Sequence, residues 1–399
     1  MEADGFSHLL KHDKIPLISY PYEWCFSMLR DAALLHLDLM LQALDEQFIL
    51  KDATPFNIQF HQGSLVLIDL PSFVAYENNG WVAYREFCQS FLYPLLLNSH
   101  LGLDFNAFLK SNLAGISVED MNKLFYGAKV FKKGIFVHVY LQNMIRKISA
   151  KNSRSIEPKV ASGKFPVKII SNNIKNLVTT INSLKQNTNK TVWSSYHTNN
   201  TYTDVAEAEK CQFIEKISCD LKPDCVWDVG CNTGTYSNIA AKHAKLVVAI
   251  DSDPSVIEAL YTHCKKLNIN NLIPLIHSVT EPSPALGWQL DERSPLEHRS
   301  KPDLVFFLAI IHHICITHNI PIGDFIAWCA RLSREVVIEF VDREDTMCAT
   351  LLSHKDADIA DYTKANFETC VKQHFEINSS FPLPDSARTL YHLRKRHDI

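Results

Sequence analysis

The chain has 399 residues, 46% of them hydrophobic, which at about 100–200 residues per domain gives room for two or three domains and excludes a mini-protein or a lone small binding module. With 21% charged residues, a formal net charge of −4 and no repeat or low-complexity tract, the composition excludes a disordered chain or a general nucleic-acid coat. The longest wholly apolar runs, such as 304–311, fall far short of the about 20 residues of a membrane span, and the opening Met-Glu-Ala-Asp is not that of a signal peptide. No membrane span and a cytoplasmic location are expected. Eleven scattered cysteines, with no C-x-x-C pair and no matching His spacing, read as reduced core residues and predict no metal site.

Taken from the start, residues 23–46 space Phe26, Leu29, Ala33, Leu37, Met40 and Leu44 every three or four positions, the period of an amphipathic helix. A hairpin follows, with a turn at 61–63, and it carries Asp52, Asn57 and Asp69. That arrangement resembles the catalytic loop and metal-binding segment of the kinase-like, aminoglycoside-phosphotransferase fold. The resemblance implies Asp52 at the base position and Asn57 with Asp69 as magnesium ligands. Only 51 residues precede Asp52, without a glycine-rich loop or a Val-Ala-x-Lys strand. Residues 1–150 are therefore expected to form a mainly helical, degenerate kinase-like domain without phosphotransfer, or else an unrelated helical domain, and Asp69 to bond backbone groups of the 52–57 loop. The aromatic and Leu-rich run 87–97 reads as core.

Between Lys129 and Lys190 thirteen Lys and Arg face Glu157 alone, a local balance of +12 that leaves −16 for the rest. Within it, 151–164 (KNSRSIEPKVASGK) is polar and aperiodic, a linker composition, and a helical stretch runs from Lys168 to Gln186. Residues 151–190 are read as basic linker and helix. The charge serves either as a solvated face or as a docking patch for an anionic partner or membrane surface.

Residues 191–399 alternate helix and strand. A helix from Val205 to Leu221 stops before Pro223, and the apolar run Cys225–Val229 should be a buried strand. The turn Gly230–Gly234 leads into a helix, and 245–250 forms a second strand ending at Asp251. Strand, glycine turn, helix, strand and terminal acid make a βαβ nucleotide-binding unit. The glycines let backbone pass close to a ligand, and a carboxylate 23 residues after Asp228 can accept both ribose hydroxyls. A dinucleotide fingerprint would need glycine at 232 and 235, where Asn232 and Thr235 stand. Beyond this unit come a helix 254–266, strand 272–276, an insert 281–301, strand 303–309, helix 322–332, strand 335–341, helix 359–373 and strands 375–379 and 388–393.

Asp228-x-Gly230-x-x-x-Gly234 followed by Asp251 resembles the first motif and ribose-binding acid of class I S-adenosyl-L-methionine-dependent methyltransferases. The resemblance covers about 193–396 and implies an α/β fold with a seven-stranded Rossmann-like sheet whose final hairpin inserts one antiparallel strand. It implies S-adenosyl-L-methionine as cofactor, held by Asp228, Gly230, Cys231, Asn232, Gly234, Asp251, Ser252 and Ser278. Where many relatives have an acid binding the adenine amine, this chain has His277 and Ser278, and Ser278 can still accept a hydrogen bond. No N/D-P-P-Y motif follows the fourth strand. His312 and His313 stand there instead, as candidate base or acceptor contact, or as a helix cap or packing residue. The insert 281–301, the paired histidines and Trp193 with Tyr196 together resemble a bacterial methyltransferase family that includes rhizobial host-specific nodulation proteins. Methyl transfer to an unidentified acceptor, an oxygen or small-molecule acceptor being preferred, is the expectation. The alternatives are a cofactor-binding scaffold without turnover and phosphotransfer by the first half.

Overall fold

The structure, a computed structural model, describes residues 11–152, 165–187, 203–353, 355 and 359–396. Trp193, Tyr196 and most of the linker segment 151–164 lie outside the described residues.

The helix Phe26–Asp45 forms where the apolar period demands it and buries Phe26, Leu29, Ala33, Leu37, Met40 and Leu44. Four short strands follow. β1 (Phe48–Leu50) pairs with β4 (Phe73–Ala75), and β2 (Ile58–His61) pairs with β3 (Ser64–Leu67), both antiparallel. The run 87–97 is core, with Phe87, Phe91, Leu92, Leu95, Leu96 and Leu97 all buried.

The helix Val167–Ser183 is no free connector. Its stripe of Ile170, Ile174, Leu177 and Ile181 is buried, and it packs on Phe26–Asp45. Beyond it, Lys185 N donates to Ser99 Oγ at 3.2 Å and Asn187 N to Asn98 Oδ1 at 3.3 Å. Residues 165–187 thus pack with the N-terminal half.

The second half holds β5 (Cys225–Val229), β6 (Leu246–Asp251), β7 (Leu272–Ile276), β8 (Leu304–Phe307), β9 (Glu335–Val341), β10 (Phe375–Pro382) and β11 (Arg388–Lys395). Their order across one seven-stranded sheet is β10-β11-β9-β8-β5-β6-β7. β5 to β9 are parallel, and β11 runs antiparallel to both neighbours, which is the expected methyltransferase hairpin insertion. The parallel strands are near-continuous apolar runs because helices cover both faces. The chain steps from β5 to β6 and β7 on one side and resumes at β8 on the other. The crevice at the carboxyl ends of β5 and β8 is therefore a topological switch point, where ligands bind in open α/β sheets.

The two halves meet through charged and aromatic groups. Ser27 N, at the start of the first helix, donates to Glu258 Oε2 at 2.9 Å, so the second half supplies the acceptor that this helix end needs. Tyr261 OH donates to Asp31 at 2.9 Å. Arg299 forms a buried ion pair with Glu23 and lies 4.2 Å over the Tyr20 ring, while Arg293 lies 4.2 Å over Phe56. Both arginines come from the insert 281–301. That insert is ordered, as expected, and contains an antiparallel bridge between Leu286 and Arg293 and a short helix Leu296–Arg299. The helix expected from 359 begins at Lys364, where the Thr363 hydroxyl accepts from Asn366 N and caps it. No helix among the described residues is long and apolar enough to cross a membrane.

Candidate active site

The βαβ turn closes around one carboxylate. Gly230 N and Cys231 N both donate to Ile250 O, at 2.8 and 3.0 Å, which ties the turn to the end of β6. Asn232 takes a left-handed φ of 48°, and its N–H donates to Asp251 Oδ2 at 3.0 Å while Asp253 N donates to Oδ1 at 3.0 Å. Each Asp251 oxygen thus spends one lone pair on backbone and keeps another for a ligand. Burial raises the Asp251 pKa, against the lowering effect of those backbone donors.

A cavity of about 480 Å³ opens at this turn, lined by Gly230, Cys231, Asn232, Asp251, Ser252, Ser278 and His313 among others. Seven of the ten residues expected at the site are brought together here. Asp228, Gly234 and His312 are not among the lining residues, and each has a physical reason. Asp228 is buried under the turn, where the Ser237 hydroxyl donates to it at 2.5 Å, and burial raises its pKa to about 6. It braces the turn from beneath. Gly234, with φ 85°, starts the helix Thr235–Ala241, and a Cβ there would fall 2.4 Å from Leu260 Cδ1. That glycine serves helix packing. Gly230, with φ 75°, faces Ile310 of the cavity wall, 2.8 Å from where its Cβ would be.

His312 is fully buried and neither ring nitrogen has a hydrogen-bond partner. Burial, then His313 and Arg388, hold its pKa near 2, so it is a neutral packing residue. His313 lines the cavity, and burial holds it at about 4. It is neutral at pH 7 and a weaker base than free imidazole. It sits at the head of a π-helical turn, His313–Thr317, a feature frequent at functional sites, which brings Ile314 and Thr317 into the wall with it. Ala309, between β8 and this turn, holds φ 52°, a conformation that costs a non-glycine residue energy. On the opposite wall, Ser278 Oγ accepts from Glu281 N at 3.1 Å and the buried His277 Nδ1 has no partner.

Sequence reading missed Glu207, Lys210 and Tyr236, which the cavity also gathers. Lys210 Nζ lies 2.6 Å from Glu339 Oε2, both buried, and 4.5 Å over the Tyr236 ring. Burial, the largest single influence, would lower the Lys210 pKa, but Glu339 and Tyr236 together outweigh it and the pKa is raised. Arg388 lies 3.5 Å from Glu339 and 2.8 Å from Asp345, so β9 and β11 share one buried charge network. The signal was present: Lys210 falls on the buried stripe Ala206, Ile214, Ile217, and Glu339 interrupts an apolar strand.

In the first half, Asn57 and Asp69 do meet. The Asn57 side-chain amide donates to Asp69 Oδ2 at 3.0 Å, while Asn57 O accepts from Ile68 N at 2.9 Å. The bond expected from Asp69 to loop backbone is made to this side chain instead. Asp52 N donates to Ser72 Oγ at 3.2 Å. No cluster of three or more His, Cys, Asp or Glu able to hold a metal occurs among the described residues.

Nodulation protein NoeA of Rhizobium meliloti is 32% identical over 395 residues, which are 97% of this chain and 82% of that protein. The chain belongs to the NoeA family. No protein-family model matches it. Solved structures of similar fold include the N-methyltransferase NodS of Bradyrhizobium japonicum, with 12% identity, 48% of this chain and 97% of that one covered, and a TM-score of 0.36. Magnesium protoporphyrin IX methyltransferase of Synechocystis has 14% identity, 51% and 90% coverage and a TM-score of 0.35. The bifunctional kinase-methyltransferase WbdD has 16% identity, 50% of this chain and 42% of that one covered, and a TM-score of 0.36. The second half of this NoeA relative has the strand order of the class I S-adenosyl-L-methionine-dependent methyltransferases.

Proposed function

We propose that the chain is an S-adenosyl-L-methionine-dependent methyltransferase acting on a small-molecule acceptor, through oxygen. The observation that carries this is the Asp251 carboxylate, wrapped by the Asn232 and Asp253 N–H groups at the switch point and lining the cavity with lone pairs to spare. Asp251 and Ser252 would hold the ribose, His277 and Ser278 the adenine edge, and Gly230 to Asn232 the amino-acid end. The cofactor, when bound, supplies an activated methyl on a cationic sulfonium. The cavity's charge suits a cation: Glu207, Asp251 and Glu281 line it, Lys210 is matched by the buried Glu339, and His277 and His313 are neutral.

The protein's contribution to such a transfer is alignment and exclusion of water, and orientation alone can be worth about 7–11 kcal/mol. His313, with Thr317 on the same turn, is placed to hydrogen-bond an acceptor and hold it in line. Its depressed pKa makes it a positioning group first and a proton acceptor second. Isothermal titration calorimetry with S-adenosylhomocysteine tests the cofactor assignment, and mass spectrometry of extracts incubated with labelled S-adenosylmethionine tests turnover and finds the acceptor. Absence of binding in the first experiment overturns the reading. Binding with no labelled product in any extract favours a cofactor-dependent scaffold.

A further inference from the structure

The basic stretch of the sequence is built around an apolar centre. From Met121 to Ile156 there is no Asp or Glu. A helical segment starts in a π turn at Phe136–Leu141 and continues as Gln142–Asn152. One side of it, Ile135, His138, Val139 and Asn143, is buried. A surface helix ordinarily turns polar residues outward from such a face. Here the outward positions are Phe136, Tyr140, Met144 and Ile148, four residues apart on one side and all exposed. Phe131, 79% exposed, stacks on Phe136 at 6.1 Å, and Phe136 stacks on Tyr140 at 5.8 Å. The result is a continuous aromatic and aliphatic ridge.

Around this ridge the charge not matched by a carboxylate is positive. Lys129, Lys132, Lys133 and Lys147 are exposed, and none has a carboxylate partner among the described residues. Arg146 is paired with Glu119. We propose that this face seats the protein on an anionic phospholipid surface, with the ridge in the headgroup–acyl boundary and the lysines against lipid phosphates. The composition is that of an interfacial amphipathic helix, apolar and aromatic inside a lysine fringe. A protein partner fits less well, because protein interfaces are depleted in lysine. A second copy of the chain would bring two positive fringes together. The inference stands apart from the methyl-transfer reading and uses no residue of the cavity.

The test is co-sedimentation of the full chain with vesicles of phosphatidylcholine mixed with phosphatidylglycerol, against phosphatidylcholine alone. The protein is expected to pellet with the mixed vesicles only, and less so at high salt. Each basic residue near such a surface is worth about 1 kcal/mol, or roughly fivefold in partitioning, so Lys132→Glu with Lys133→Glu should lower binding by roughly 25-fold or more. Phe131→Ser with Met144→Ser should weaken it at unchanged charge. All four side chains are exposed, and an unchanged melting temperature and circular dichroism spectrum verify the fold. Failure to pellet, equal pelleting with uncharged vesicles, or wild-type pelleting of the lysine variant overturns the proposal. Concentration-dependent dimerisation abolished by Phe131→Ser would likewise overturn it, in favour of a protein interface.

Discussion

At the scale of single residues, the two acids of the βαβ unit have separate duties. Asp251 faces the cavity and organises the turn; Asp228 lies beneath, bonded to Ser237. Asp251→Ala should weaken S-adenosylhomocysteine binding by about 2–4 kcal/mol, since charge-assisted bonds are worth about 1.5–3 kcal/mol each and do not add fully. Calorimetry checks this, and unchanged affinity would detach the acid from the ligand. The glycines divide in the same way. Gly234→Ala places a Cβ against Leu260 at a left-handed φ, so it should lower stability by about 1–3 kcal/mol with the affinity of the folded fraction little changed. Chemical denaturation and calorimetry on the same variant separate the two effects. Motif spacing made the turn legible, because strand, glycine and acid impose their own order. It could not say which motif residue faces the ligand and which braces the turn, since that depends on Leu260 and Ser237, packed in from the helices that follow β6 and β5.

At the scale of elements, the cavity residue Lys210 ties its helix to two strands through shared buried charge. Lys210 on helix Asp204–Leu221, Glu339 on β9 and Arg388 on β11 are each almost wholly inaccessible. Breaking one partner of such a pair typically costs about 3–5 kcal/mol, because it leaves a buried charge uncompensated. Glu339→Gln should therefore destabilise by about that amount, whereas Lys210→Met combined with Glu339→Leu should recover much of it. Urea denaturation of the single and double variants decides the matter; equal losses in both would show that the pair is not coupled. The sequence read this helix correctly as an element but did not assign Lys210 to its buried face, because an apolar count skips a lysine whose partner is 129 residues away. Strands β5, β6, β7 and β9 were legible to within a residue, since parallel strands buried on both faces are near-continuous apolar runs, whereas β8, β10 and β11 end two or three residues away from where the sequence placed them. The π-turn at His313 was not, since nothing in its composition distinguishes it from an ordinary helix start.

At the scale of the whole molecule, the halves are joined by Glu23–Arg299, Asp31–Tyr261 and Ser27–Glu258. Sequence located the insert that carries Arg293 and Arg299 but not its target, because a contact between residues 276 positions apart leaves no local trace. Both halves also carry neutral buried histidines, and these set a pH response. His36, packed among Trp81, Phe87 and Phe91, is held by burial at about 4 against 6.5 when free, as are His138 and His277. The unfolded chain therefore takes up these protons first, between pH 6.5 and 4, so the stability they contribute is complete above 6.5 and lost as pH falls toward 4. At 1.36 kcal/mol per pKa unit, a fully buried residue such as His36 accounts for about 3 kcal/mol of that loss. Asp228 works the other way, because its folded pKa of about 6 against 3.8 favours the folded form on acidification. Asp251, Glu23 and Asp104 are raised in the same direction, but the histidines held low are more numerous, His36, His138, His277, His312 and His313 among them, so the melting temperature should fall from pH 7 to pH 5. His36→Leu keeps the site apolar and removes one of the protons taken up, and should shrink that fall measurably. Thermal melts of both proteins at the two pH values check it, and an identical drop in the variant would place the acid sensitivity elsewhere.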